Sequence, residues 1–468
     1  MAPVILEYSY TIVTILFIVI FLRKSLLGNI SLKKGLLDWS LFGFLFNLYS
    51  LSWLYTTYPL PWIPSGGVQF LGITLLHVIA SFVAGICYAL VGFSFNKKIN
   101  NKYKPLVFAL LLSFAEILRS VFLSLLFSGN GGMVGLHWNA STIGNALSTT
   151  PFLEYAYFGG TYALTFVLGL LVYVCISKKH FESYWKYLLT ICVGLIALHF
   201  FVPISAPKAP IKVGVVSTNF PTIDNKEALS KAFITQNQTV QTMTLSFSSS
   251  SPNIIVYPED TRYVEYLSED QKKNLSKTLE DVLLVDGDTL SFKNGFSNYS
   301  IFYEPKINKV VGRGKYLLFP FNEYIPTFFE SIFRIFVRGI SLDDYINNHT
   351  YTPQDFVGSY TYKDLKIGTV ICSEIISFKI INSLWASNPN IVIYQSHLNV
   401  FHDNPWFVMQ LRSFSKVAAA QLRTPFIGVS NGAPSYIISP YGYIQSTINT
   451  GFSSRTYTIY QDSVVLDK

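Results

Sequence analysis

The chain has 468 residues, half of them apolar and 16% aromatic, and only 13% carry charge; this excludes an ordinary soluble protein and points to membrane helices. The formal charge of +8 is spread over short clusters, so it bears on membrane orientation rather than on a nucleic-acid surface. Four cysteines without regular spacing make neither a disulfide framework nor a zinc ribbon.

The apolar surplus lies in residues 1–205, and residues 206–468 have the polar, turn-rich composition of a globular domain. Residues 5–22 are apolar, with no Lys or Arg before them and no small-residue cleavage site after them, which predicts a retained span rather than a signal peptide. Further spans are expected at 36–54, 71–93, 106–127, 155–176 and 187–204, each near the ~20 residues that cross a bilayer. A bundle of about six helices results.

Arg23, Lys24, Lys33 and Lys34 mark the first connection, Lys97, Lys98, Lys102 and Lys104 the third, and Lys178, Lys179 and Lys186 the fifth. Residues 55–70 and 128–154 contain no Lys or Arg. Basic residues collect on the cytoplasmic side of short loops, so the globular half is expected on the extracytoplasmic face. Glu116 and Arg119 stand three apart inside the fourth span, where one helix face can pair them. Charges at that depth mark function by default, with a packing lock as the alternative. The Pro-, Gly- and Trp-bearing stretches 59–64 and 131–138 are read as interfacial anchors or a lipid gate.

Beyond residue 206, short β-type runs alternate with polar helical stretches, which predicts a layered α/β domain. Strands are expected at 211–217, 253–257, 282–286, 299–303, 310–312, 366–371, 391–394, 426–430 and 436–438, and helices at 226–247, 268–282 and 403–422. Residues 327–354, aromatic and then polar, interrupt the rhythm and are read as a lid near the bilayer.

Three charged or nucleophilic residues stand at or near the ends of apolar runs. Asn253-Ile254-Ile255-Val256-Tyr257-Pro258-Glu259 leads a strand into a carboxylate, Lys315 opens the apolar stretch to Pro320, and Gly368-Thr369-Val370-Ile371-Cys372-Ser373-Glu374 delivers the one cysteine of the globular half. Free Cys is often a small core residue, but here it has partners. A carboxylate base can take the thiol proton while a lysine ammonium stabilises the oxyanion of an attacked ester. That gives Glu259 the base role, Lys315 the oxyanion role and Cys372 the nucleophile role.

These stretches, in this order and behind these spans, resemble the apolipoprotein N-acyltransferases, a membrane-embedded branch of the nitrilase superfamily. The resemblance implies an αββα sandwich for the globular half and a glutamate, lysine and cysteine triad at Glu259, Lys315 and Cys372. It also implies supporting roles for Glu323, Glu374 and Asn431, and matches Glu116 and Arg119 to a Glu-x-x-Arg in a family span. Trp406 and Phe407, at a helix start, are candidate acyl-chain contacts, with core filling as the alternative. The implied reaction transfers an acyl chain from a phospholipid, through a thioester on Cys372, to the α-amine of the diacylglyceryl-cysteine of an apolipoprotein, on the periplasmic face of a bacterial inner membrane. No cofactor, metal or nucleic acid is implied; His397 and His402, five apart, fit no zinc motif.

The sequence departs from the family pattern in several places. One early helix and the closing C-terminal span are not evident, and Ser373, Asn322 and Gln421 replace the family's Tyr, Gly and Glu at those positions. Two other readings stay open: a membrane-anchored amidase or hydrolase in which water resolves the thioester, and a non-catalytic lipid- or lipoprotein-binding protein.

Overall fold

Strands buried on both faces read as continuous apolar runs, and successive side chains of such a run must feed two separate cores. In Ile391–His397, Ile391 and Ile393 enter a core between two sheets while Val392 and Tyr394 enter a second core beneath helices. In Ile254–Val256 the two outer residues face the inter-sheet core and Ile255 faces the opposite helix layer. Two sheets back to back, each with helices outside, are the consequence.

The computed structural model describes residues 2–27, 31–57, 66–96, 98–129, 131–177, 181–220, 226–292, 295–336, 351–356, 358–402, 404–449, 451, 453–459 and 464–466. The stretch 59–64 and half of the expected lid, 337–350, lie outside the described residues.

Among the described residues six long helices come first: α1 (Ala2–Leu27), α2 (Leu32–Ser50), α3 (Gly66–Ala89), α4 (Lys104–Leu126), α5 (Gly160–Ile176) and α6 (Phe181–Phe201). Of the described residues, four apolar segments, Ile5–Leu26, Gln69–Phe95, Asn101–Leu126 and Tyr184–Phe201, are long and apolar enough to cross a membrane. The apolar α5 is shorter, at 17 residues, and α2 carries Lys33, Lys34 and Asp38. The span expected from residue 155 begins instead at Gly160, because Pro151–Phe158 forms a tighter 3-10 turn and Gly160 adopts a φ of 55°, which breaks helical continuity at low cost only in glycine. The start of α2 comes into close contact with the 3-10 turn Leu90–Phe95 that follows α3, where a Cβ on Gly92 would lie 2.5 Å from the carbonyl carbon of Gly35; small residues permit such approach.

The α/β domain follows. Its first sheet contains β1 (Ile211–Ser217), β2 (Ile254–Val256), β3 (Leu283–Phe292), β4 (Gly295–Glu304), β5 (Lys309–Gly314), β12 (Ser453–Ile459) and β13 (Val464–Leu466), in the order β13-β12-β1-β2-β3-β4-β5. The second contains β6 (Tyr360–Tyr362), β7 (Leu365–Ile371), β8 (Ile391–His397), β9 (Phe426–Asn431), β10 (Ser435–Ile438) and β11 (Ile444–Ile448), in the order β11-β10-β9-β8-β7-β6. Central pairs are parallel and the flanking pairs antiparallel. Helices α7 (Lys226–Ser246) and α8 (Glu269–Thr278) cover the first sheet, and α10 (Phe378–Ser387) and α11 (Pro405–Leu422) the second. A short helix, α9 (Thr327–Phe336), lays Phe329 and Phe333 into the core shared with the membrane helices.

The two halves meet through one end of the bundle. Ser50 at the end of α2, Ser128 beyond α4 and Gly160 at the start of α5 all contact the α/β domain, the first accepting a hydrogen bond from Gln410 at 2.6 Å. Lys24 and Asp38 pair at the opposite end, 2.6 Å apart.

Candidate active site

Strand ends build the site. The strand β2 runs through Tyr257 and Pro258 into Glu259, and β3 passes so close behind that a Cβ on Gly287 would lie 2.3 Å from the Pro258 carbonyl oxygen. Lys315 follows β5, its backbone N–H donating to Asn298 of β4 at 2.7 Å. Cys372 ends β7 at a φ of 45°, where the strand breaks into the 3-10 turn Cys372–Ile376. A non-glycine residue in that region stores backbone strain, and such outliers cluster at functional sites. Glu259 and Lys315 thus come from one sheet and Cys372 from the other, all beyond the carboxyl ends of strands, where open α/β sheets bind ligands.

Lys315, 1% exposed, is the hub. Its Nζ donates to Glu259 Oε1 at 3.1 Å and to Glu323 Oε1 at 2.7 Å. Burial alone would lower its pKa, but Glu259 and Glu323 outweigh that and hold it well above the ordinary lysine value, so the ammonium stays charged. Glu259 Oε2 accepts the backbone N–H of His397 at 3.0 Å, and Glu323 Oε2 that of Phe319 at 2.6 Å. At the Cys372 thiol, burial and then the Glu259 charge push the pKa well above the ordinary thiol value, with Lys315 opposing. At rest the thiol is therefore neutral, set among a carboxylate pair and an ammonium.

Sequence reasoning missed Asn298. Its Nδ2 donates to Glu259 Oε1 at 3.1 Å and Glu323 Oε1 at 2.8 Å, and its Oδ1 accepts from Thr289 at 2.8 Å. An amide placed between two carboxylates supplies two N–H donors and no charge.

The other expected residues divide. Glu323 bonds Lys315 directly. Glu374 does not reach Lys315: it pairs with Arg313 and accepts the backbone N–H groups of Tyr316 at 2.7 Å and Ile371 at 2.8 Å, tying the segment beside Lys315 to the strand before Cys372. Asn431 has no bond to the triad; it holds Thr218 at 2.9 Å and the backbone of Phe220 at 2.7 Å, joining the two sheets. Ser373 donates to the Leu317 carbonyl at 2.6 Å.

Next to Cys372 is a void of about 10 Å³, lined by Phe407, Gln410, Leu411 and Phe414 of α11 and by Trp53, Ala140 and Phe319. Trp53, Ala140 and Phe319 also line a cavity of about 300 Å³ with Gly72, Leu76, Leu123, Phe127 and Phe333, between the membrane helices and the α/β domain. Phe407 therefore faces the void. Trp406 does not; it packs on Tyr10 and Tyr49 of α1 and α2, ring centroids 5.7 and 5.2 Å away. Glu116 and Arg119 line neither space. They are 0% and 1% exposed and paired at 2.7 Å, and they bind the Ile143 N–H and the Ala140 carbonyl, fixing the loop that brings Ala140 to both spaces.

A helical bundle thus carries a two-sheet α/β domain, with a buried carboxylate and lysine beside a half-buried thiol near the junction. Residues 3–174 match the apolipoprotein N-acyltransferase N-terminal domain. Two apolipoprotein N-acyltransferases are similar to this chain: that of Aquifex aeolicus, 26% identical over 43% of this chain and 43% of its own length, and that of Prochlorococcus marinus subsp. pastoris, 25% identical over 86% and 79%. Among solved structures, Nit3 of Saccharomyces cerevisiae, a member of branch 10 of the nitrilase superfamily, matches 54% of this chain and 92% of its own at 14% identity with a TM-score of 0.40. The chain is thus similar to apolipoprotein N-acyltransferases, in its N-terminal region by the family match and along most of its length by the Prochlorococcus relative.

Proposed function

We propose that the protein transfers a fatty acyl chain from a phospholipid to the α-amine of a diacylglyceryl-cysteine at the N-terminus of an apolipoprotein. The observation that carries this reading is the position of Cys372: its void and the neighbouring 300 Å³ apolar cavity share Trp53 and Ala140 of the membrane half as walls. A nucleophile that met only soluble amides would need no wall from membrane helices, and apolar cavities of this size suit an acyl chain.

As Sγ attacks the ester carbonyl, Glu259 takes the thiol proton and the Lys315 ammonium faces the developing oxyanion. Collapse expels the lysophospholipid alkoxide, which takes the proton from Glu259, leaving a thioester on Cys372. The neutral acceptor amine then attacks the thioester carbonyl and passes a proton to Glu259. Collapse forms the amide, and the departing thiolate recovers that proton. Both half-reactions use one base and one cation.

All six helices are read as crossing the membrane, with the α/β domain on the extracytoplasmic face. Supporting this, the domain docks on the end of the bundle opposite Lys24, and basic residues favour the cytoplasmic side.

Intact-mass spectrometry of the purified protein with phospholipid alone, then with a diacylated lipopeptide bearing a free α-amine, tests the proposal. Acyl mass on Cys372 that moves to the peptide amine is expected, and Cys372→Ser should take up none. Decay of the adduct to free fatty acid with the peptide untouched would favour a hydrolase, and absence of any adduct would refute the acyl-enzyme.

A further inference from the structure

The helix α11 packs on both halves of the protein. Met409, Val417 and Ala420 belong to the core of the membrane bundle, whereas Leu411, Phe414 and Ala418 belong to the core beneath the second sheet. Every residue from Phe407 to Leu422 is buried. Yet the helix holds Arg412 and Lys416, each 6% exposed, and is followed by Arg423 at 1%. Cations enclosed this way are tolerated only with a counter-charge at hand.

The membrane half supplies those counter-charges. Glu7 of α1 lies 2.7 Å from Arg412 Nε and 3.1 Å from Lys416 Nζ. Glu154, in the turn before α5, lies 2.9 Å from Arg423. Among the described residues no carboxylate of the α/β domain pairs with any of the three. Glu7 is itself out of place in an apolar span: Ile5, Tyr8, Ile12 and Leu16 of α1 are half or more exposed to the lipid side, while Glu7 turns inward at 4%. Burial pulls the Lys416 pKa below its ordinary value even with Glu7 beside it, so loss of that carboxylate would leave the helix with charge it cannot hold in place.

The helix face one turn away is the wall of the Cys372 void, through Phe407, Gln410, Leu411 and Phe414. We infer that Glu7 is a positioning residue of the reaction: from inside the first membrane helix it anchors Arg412 and Lys416, and through α11 it sets the wall against which the acyl group meets Cys372. The membrane half is then part of the catalytic apparatus rather than an anchor. This rests on Cys372 as the nucleophile.

The test uses the full chain in lipid nanodiscs with Glu7→Gln, which removes the charge and keeps the shape, and Glu7→Asp, which keeps the charge. Two readouts are taken well below each variant's melting temperature: the rate of Cys372 alkylation by a maleimide, followed by intact mass, and kcat and KM for acyl transfer. Glu7→Gln is expected to speed alkylation, because the wall loosens around the thiol, and to lower kcat by about 10²-fold, as for a misplacement of about 1 Å at the chemistry, with KM little changed; Glu7→Asp should restore much of both. A purely structural role would lower the melting temperature and leave both rates of the folded protein unchanged, which would overturn the inference. Should Glu7→Gln not accumulate, Lys416→Gln is measured instead, with intermediate changes expected in both readouts and parental values again overturning it. The alkylation arm needs no acyl donor, so it reports on Glu7 even if the proposed acyl transfer fails.

Discussion

Lys315 Nζ lies 2.7 Å from Glu323 Oε1, closer than the 3.1 Å that separates it from Glu259 Oε1. The closer carboxylate takes the larger share of the ammonium, which in the proposed mechanism leaves Glu259 free to act as the base. Burial, with Lys315 opposing and Glu259 adding, pushes the Glu323 carboxyl up, so the cluster is balanced between one cation and two competing anions. Replacing Glu323 by Gln removes that competition, and Lys315 should collapse onto Glu259. We expect kcat to fall by about 10²-fold or more, the scale of losing one oxyanion donor, while KM changes little. Single-turnover acylation of Cys372 measures this, and a rate equal to that of the parent would contradict the assignment.

Asn298 offers a complementary test. Replacing it by Ala leaves Glu259 Oε1 and Glu323 Oε1 with Lys315 as their remaining side-chain donor, at a cost of about 1–3 kcal/mol for a buried group losing its partner. Asn298→Asp should be worse, because a third carboxylate beside two others repels them. Thermal unfolding in detergent should rank the parent above Asn298→Ala, and that above Asn298→Asp. The opposite order of the two variants would mean that the amide is not bridging carboxylates.

Much of the α/β domain was legible because its central strands are apolar runs. The first strand occupies 211–217 as expected, and β7, β8 and β9 differ from expectation by a few residues at most. The edge strands β6, β11 and β13, the strand β12 beside β13 and the helix α10 were not read: Tyr360–Tyr362 is three residues long, and Ser453–Ile459 begins Ser-Ser-Arg-Thr. Glu259, Lys315 and Cys372 stood out because each interrupts or ends an apolar stretch. Asn298 did not, since an Asn in the polar alternation of β4 looks like surface, and only the register opposite β3 and β5 brings it between the carboxylates. The Glu7 contacts were equally hidden, being made across 409 residues of sequence to Lys416.

A pH signature follows from Asp288 on β3. Burial first, and then the charge of Glu265 with Arg262 opposing, pushes its carboxyl up to about 7. In the unfolded chain it titrates near 4, so between about 4 and about 7 the folded protein keeps a proton that the unfolded chain has lost. Stability from this group is therefore largest on the acid side and is lost as pH rises through that window. Asp288→Asn should flatten the fall, and the difference in melting temperature between parent and variant should widen from pH 4 to pH 8. A constant difference would mean that Asp288 titrates as an ordinary exposed carboxylate. Asp286, pushed up by burial and in part by the Asp288 charge, contributes a slope of the same sign that Asp288→Asn also lessens, which adds to the difference.

The cavity makes the last prediction. Gly72 of α3 lines it, and a Cβ there would lie 3.2 and 3.3 Å from two ring carbons of Phe333. A larger side chain must therefore push Phe333 aside or project into the 300 Å³ space. If that space holds the donor's acyl chain, Gly72→Leu should shorten the chain that fits, and each methylene left outside should forfeit about 0.8 kcal/mol of apolar burial, roughly a fourfold loss in kcat/KM. Short-chain donors should be unaffected. Phe333→Ala opens the same region from α9, so adding it to Gly72→Leu should return activity on long chains. Competition between phospholipids of graded chain length, read by mass spectrometry of the Cys372 adduct, gives the profile directly. An equal loss for all chain lengths would place the acyl chain elsewhere and leave Gly72 as a packing residue between α3 and α9.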